Sequence, residues 1–190
     1  TLPVPKLPAV IAAAFDYAET EGRAGKGTVI VYAAGNDNTG LDYYGKHPTV
    51  VAVAAVNDLG LKSYYSSFGP ELDIAAPSNG GLTGITTTQA GGGHTDAFGG
   101  TSSACPVAAG VAGLLVSAAP ERTAAEIAQV MIDSARPAPY AVPDELGHDP
   151  VFGYGIVEPV GALRTLLGIE EPGEPGPDAG PGDTSSEDDG

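Results

Sequence analysis

The apolar positions of this chain fall into three patterns. Leu7, Val10, Ile11, Ala14, Phe15 and Ala18 recur at intervals of three and four, which predicts a helix ending near Gly22. Thr28–Ala34, Thr49–Val56 and Leu72–Ala76 are short and almost wholly apolar, as strands buried on both faces of a parallel sheet are. Val107–Ala118 is nearly free of polar residues and predicts a buried helix. Thr123–Ser134 is amphipathic, with Thr123 as a cap and Glu126 three residues on. A short final helix is expected near Val157–Leu167, after a proline-rich connection and Phe152-Gly153-Tyr154-Gly155. Residues 78–100 are rich in Gly, Thr and Ser and predict a long surface loop. The alternation of strands and helices predicts an α/β layered domain with a mainly parallel sheet. The turn-rich loop Gly35–Gly40 then falls at the carboxyl end of a strand, where open α/β sheets place their chemistry.

Composition adds a boundary. From Ile169 onward the residues are largely Pro, Gly, Glu, Asp and Ser, which bury too little to offset the entropy of ordering. Residues 1–168 are therefore read as one domain, and 169–190 as a disordered acidic tail or linker. The formal charge of −16 argues against nucleic acid and anionic membranes as partners and fits a secreted or cell-surface protein. No run reaches the roughly 18 apolar residues of a transmembrane helix. No signal-peptide pattern is present, and a first residue of Thr points to sequence upstream. The single cysteine, Cys105, cannot form an internal disulfide and is expected as a small buried side chain.

The chemistry centres on Gly100-Thr101-Ser102-Ser103-Ala104-Cys105-Pro106-Val107-Ala108-Ala109-Gly110. A glycine-rich loop here feeds a helix, with Pro106 expected in an early helical position that needs no N–H partner. Ser102 would sit among unpaired backbone N–H groups, where an oxyanion formed by its attack on a carbonyl is stabilised. The same stretch also reads as a helix cap. It resembles the nucleophile motif of the subtilisin-like serine peptidases, the subtilases, with Ser102 in the place of the nucleophile. Tyr32-Ala33-Ala34-Gly35-Asn36 resembles the subtilase segment whose asparagine donates into the oxyanion hole. Asn36 offers an N–H₂ group that does not titrate. Ser66–Pro77 and Phe152–Val157 resemble further segments of the same domain, and Glu21–Gly27 is similar to the kexin/furin-like branch.

The resemblance implies a subtilisin-like three-layer α/β fold whose N-terminal part is missing, covering about Leu7 to Leu167. It implies a serine endopeptidase acting on protein or peptide substrates through an acyl-enzyme, extracellular or at the cell surface. Ala33, Ala34, Gly35, Gly100 and Thr101 would line the substrate site. An acid at Asp42 would favour a basic residue before the scissile bond. The chemistry requires no cofactor, although carbonyls of Tyr44–Val50 with Glu71 and Asp73 would suit a structural calcium or a monovalent cation. Two acids on a solvated loop and strand edge is the plainer reading.

A hydrolytic serine needs a histidine base and an orienting carboxylate. The subtilase Asp and His motifs do not occur here, and His47, His94 and His148 all read as surface residues. The partners are therefore expected in the upstream part of the same polypeptide, and this chain alone is expected to be inactive. A subtilase-fold pseudoenzyme or peptide-binding module is the alternative. The Gly-x-Ser-x-Gly elbow fails because Ala104 holds its last position. Gly25–Thr28 lies between a helix and a following strand, the reverse of a phosphate loop.

Overall fold

The computed structural model describes residues 7–170, so most of the predicted acidic tail lies outside the described residues. Helix α1 is Ala9–Gly25, and its regular part stops where the pattern predicts, with Gly22 extended and Arg23 and Ala24 left-handed. Gly22 is there for space. A Cβ on it would collide with the Thr28 hydroxyl of the returning chain, whose N–H reaches Ala18 O at 2.8 Å.

Strands β1 (Ile30–Ala33), β2 (Val50–Val56) and β3 (Ile74–Pro77) form a parallel sheet in that order. The central strand β2 is buried along its whole length. Its alternating side chains divide between two clusters. Val51, Val53 and Ala55 join Ile74, Ala76 and helical residues on one face. Ala52, Ala54 and Val56 meet Leu41, Leu72, Phe152 and Ile156 on the other. Strand β1 differs from its expectation: it is half-buried throughout, because it is an edge strand with one neighbour among the described residues.

Two antiparallel strands, β4 (Ile85–Thr88) and β5 (His94–Phe98), replace the surface loop predicted for residues 78–100. Their residues are mostly exposed, so no apolar alternation announces them. The base of this hairpin is pinned by Asp58, which accepts from Leu82 N–H and Thr83 N–H at 3.0 Å and Thr83 O–H at 2.9 Å. These bonds, the Thr83 hydroxyl foremost, hold the Asp58 carboxyl below its ordinary range.

Helices α2 (Thr101–Ala118), α3 (Ala124–Asp133) and α4 (Pro159–Leu167) cover the first face of the sheet. Ala104, Ala108, Val111, Ala112 and Leu115 of α2 meet Ile127 and Met131 of α3 and Ala162 of α4. Connecting segments cover the second face, which gives three layers. The expected capping box on α3 is present in both directions, Glu126 N–H to Thr123 Oγ1 at 3.2 Å and Thr123 N–H to Glu126 at 2.8 Å.

Helix α2 corrects two expectations. It starts at Thr101, so Pro106 is its sixth residue rather than an early one, and the proline removes the N–H that would bond Ser102 C=O. At 18 residues it is also long and apolar enough to cross a membrane by length and composition. Its packing on all three parallel strands is that of a core helix. Its outer face is open: Val107 is 37% and Leu114 52% exposed.

Candidate active site

Three segments converge beyond the carboxyl ends of the parallel strands. Gly35 and Asn36 follow β1, Ser78 and Asn79 follow β3, and Gly99-Gly100 leads from β5 into α2. Gly100, at φ 76°, makes the turn into the helix.

The two adjacent serines face opposite ways. Ser102 is exposed, and its hydroxyl has no hydrogen-bond partner among the described residues. Ser103 is 2% exposed, its hydroxyl 3.0 Å from Gly100 O and 2.6 Å from Ser78 Oγ. The backbone divides in the same way. Thr101 N–H donates to Asn36 Oδ1 at 2.8 Å and Ser103 N–H to Gly100 O at 3.0 Å. Ser102 N–H has no acceptor among the described residues, which leaves it open at a helix N-terminus.

Asn36 is held by its oxygen. Oδ1 accepts from Thr101 N–H and from the Thr101 hydroxyl at 3.1 Å, while the hydrogens of Nδ2 have no acceptor among the described residues. The motif places Thr101 among substrate-lining residues. In the structure Thr101 is fully buried, and its hydroxyl accepts from Gly35 N–H at 3.2 Å while donating to Asn36. It ties the end of β1 to the start of α2.

The other predicted lining residues flank this junction. Ala33 ends β1 half-buried, Ala34 is buried with its N–H on Val53 O at 2.9 Å, and Gly35 gives its C=O to Ser67 N–H at 2.9 Å. Asp42 lies beside them, its Oδ1 accepting from Tyr44 N–H and Gly45 N–H at 2.9 Å. The Tyr44 ring stacks on Tyr32 with centroids 5.6 Å apart. Burial and then the charge of Asp42 raise the Tyr32 hydroxyl above its ordinary value.

Glu71 and Asp73 sit at the other end of the sheet, just before β3. Glu71 Oε1 pairs with Lys46 Nζ at 3.2 Å, and its Oε2 is buried without a partner. Asp73 Oδ2 accepts from Ala52 N–H at 2.7 Å. Burial nevertheless pushes its carboxyl up to about 6, against the lowering effect of that bond and of His148. No group of three or more His, Cys, Asp or Glu side chains that could hold a metal occurs among the described residues.

The histidines are not uniformly on the surface as expected. His94 is exposed on the hairpin, but His47 and His148 are half-buried at the amino ends of β2 and β3. His47 Nδ1 meets Thr49 Oγ1 at 2.9 Å, and His148 Nε2 meets Leu72 O at 2.8 Å. Neither shares the end of the sheet where Ser102 lies. Cys105 is half-buried rather than buried, and that burial raises its thiol pKa.

The groups supporting the site were not visible in the sequence. Tyr65, Ser78, Asn79 and Ser103 bond one another beneath Gly100. Lys62 Nζ reaches Asn38 Oδ1 at 2.7 Å and Ser66 O at 3.0 Å and bridges the Asn36 loop to the next crossover. These residues sit in loops without periodicity, and only the doubled Gly99-Gly100 hints at a crowded backbone.

A parallel sheet backed by a serine-tipped core helix defines a subtilisin-like α/β fold. Residues 4–155 match the subtilase family, and the chain belongs to that family. It is 38% identical over 196 residues to a calcium-dependent protease of Trichormus variabilis, covering 90% of this chain and 29% of that protein. An extracellular protease of Xanthomonas campestris is 37% identical over 127 residues, covering 63% of this chain and 22% of that protein. A solved protease of Pseudoalteromonas arctica PAMC 21717 superposes with a TM-score of 0.64 at 32% identity, covering 76% of this chain and 44% of its own. The chain thus spans less than half the length of each of these relatives.

Proposed function

We propose that this chain is the carboxyl-terminal part of the catalytic domain of a secreted serine endopeptidase, with Ser102 as nucleophile. The observation that carries this reading is the contrast within the first turn of α2. Ser102 keeps an open hydroxyl and an open N–H, while Ser103 and the N–H of Thr101 are committed to internal bonds. Ser102 Oγ attacks the peptide carbonyl, and the oxyanion is taken by Ser102 N–H and Asn36 Nδ2. A histidine base moves the proton from Ser102 to the leaving amine, and water then releases the acyl group.

That histidine and its carboxylate come from an upstream segment of the polypeptide. The unpaired side of β1 and the open outer face of α2 support its packing there, since both leave surface that such folds cover. Ala33, Ala34, Gly35 and Gly100 shape the wall of the substrate site. Asp42, fixed by two N–H groups beside tyrosine rings, favours a Lys or Arg before the scissile bond. Glu71 Oε2, buried without a partner, and the carboxylate of Asp73 fit an oxygen-coordinated cation such as Ca²⁺, with loop carbonyls completing it. The Trichormus relative is itself called calcium-dependent, and the Xanthomonas relative extracellular.

The test is cleavage of casein by the complete polypeptide, by this 190-residue chain alone, and by a Ser102→Ala variant of the complete polypeptide. Hydrolysis by the first only is expected. Undiminished hydrolysis by the Ser102→Ala variant would overturn the assignment. No hydrolysis by the complete polypeptide would favour a peptide-binding module.

A further inference from the structure

We propose that Asn79 is the positioning residue of the Ser102 turn. Its carboxamide oxygen sets the peptide between Gly99 and Gly100, and so the direction in which Ser102 faces. The proposal rests on the nucleophile role of Ser102, but the placement of Gly100 by Asn79 is independent of it.

Two peptides flank Gly100, and the groups that fix them differ. The N–H of the second, belonging to Thr101, is held by Asn36 Oδ1. Its C=O, that of Gly100, accepts from the Ser78 hydroxyl at 2.8 Å, with Ser103 Oγ 3.0 Å away. The first peptide is held by Asn79, whose Oδ1 accepts Gly100 N–H at 3.0 Å. That same oxygen lies 2.5 Å from the Tyr65 hydroxyl. Both partners are donors, so the oxygen end of the carboxamide must face them. Asn79 is itself anchored, since its backbone carbonyl accepts from the Ser63 hydroxyl at 2.5 Å.

Gly99 supplies a second, independent observation. Its backbone is not left-handed, so conformation alone does not demand glycine there. Instead, a Cβ on Gly99 would overlap the carboxamide of Asn79. The glycine makes room for the asparagine, and the asparagine fills the room to reach Gly100 N–H. A hydroxyl order satisfying every group runs Tyr65 O–H to Asn79 Oδ1, Ser103 O–H to Ser78 Oγ, and Ser78 O–H to Gly100 O. Gly100 can then hold φ 76° without relying on substrate to order it.

The experiment compares Asn79→Leu, Asn79→Asp and Gly99→Ala in the complete polypeptide, with kcat and KM measured separately on a peptide substrate. Leucine matches the size of asparagine but accepts nothing, whereas aspartate keeps an acceptor for both donors. Misplacing a reacting group by a fraction of an ångström to an ångström costs about 10- to 100-fold in rate. A fall of that size in kcat with KM little changed is expected for Asn79→Leu and Gly99→Ala, with most of kcat restored in Asn79→Asp. The second readout is amide hydrogen exchange at Gly100, which needs no activity: faster in Asn79→Leu, protected again in Asn79→Asp. Unchanged Gly100 exchange in folded Asn79→Leu overturns the proposal, as does an Asn79→Asp variant no better than leucine. If the parent polypeptide hydrolyses nothing while Gly100 exchange follows the expected order, the peptidase reading fails and the positioning role stands.

Discussion

The two ends of the parallel sheet treat their polar side chains in opposite ways. At the carboxyl end, Tyr65, Ser78, Asn79 and Ser103 satisfy one another, Thr101 closes on Gly35 and Asn36, and Ser102 N–H and Asn36 Nδ2 are left over. At the amino end, Glu71 keeps a buried oxygen without a partner and Asp73 is reluctant to ionise. A buried polar network that is closed on itself is rigid, and whatever it leaves open has a fixed direction. An incompletely compensated carboxylate has the reverse character: a proton or a cation must meet its demand. One end therefore suits transition-state recognition, the other a condition-dependent brace.

The sharpest way to break this comparison is at Asn36, where acceptor and donor sit on one side chain. Asn36→Asp keeps an oxygen for Thr101 N–H but loses the N–H₂ group. It should lower kcat by about 10²- to 10³-fold, as loss of an oxyanion donor does, with the melting temperature nearly unchanged. If kcat stays within a few-fold of the parent, Asn36 is only a tether between β1 and α2.

The amino end is tested by pH. Asp73 has a folded value of about 6, above the roughly 3.9 of an unfolded aspartate. The folded state thus holds the proton more tightly, so this contribution to stability is fully present below about 4 and lost as pH rises through about 6. In chelator, the complete polypeptide should lose about 3 kcal/mol across that window, and Asp73→Asn should flatten the loss. Calcium added at pH 8 should restore the parent and not the variant. A parent whose stability is independent of both pH and calcium would remove the brace.

How much of this was legible follows the same division. The core strands were readable because both faces of the sheet are covered, so β2 needs apolar residues at every position. Thr123 and Glu126 announced the start of α3 because a capping box is a local pattern. Phe152-Gly153-Tyr154-Gly155 stood out for a steric reason: a Cβ on Gly153 would collide with Asp73 O at the start of β3. Ser102 and Asn36 were visible through a long motif. Asn79 and Ser103 were not, because partners 21 and 25 residues away in sequence leave no periodic trace. The hairpin was missed for want of buried positions, and the exposure of β1 because its apolar composition does not distinguish an edge strand from a central one.

The most direct measurement is labelling of the complete polypeptide with a fluorophosphonate, followed by peptide mapping of the Gly99–Leu115 region by mass spectrometry. Two serines stand side by side there, and only the outward one has a free hydroxyl. A single adduct on Ser102 is predicted, with none on Ser103 and none after Ser102→Ala. An adduct on Ser103, or hydrolytic activity that survives without any label on Ser102, would contradict the assignment.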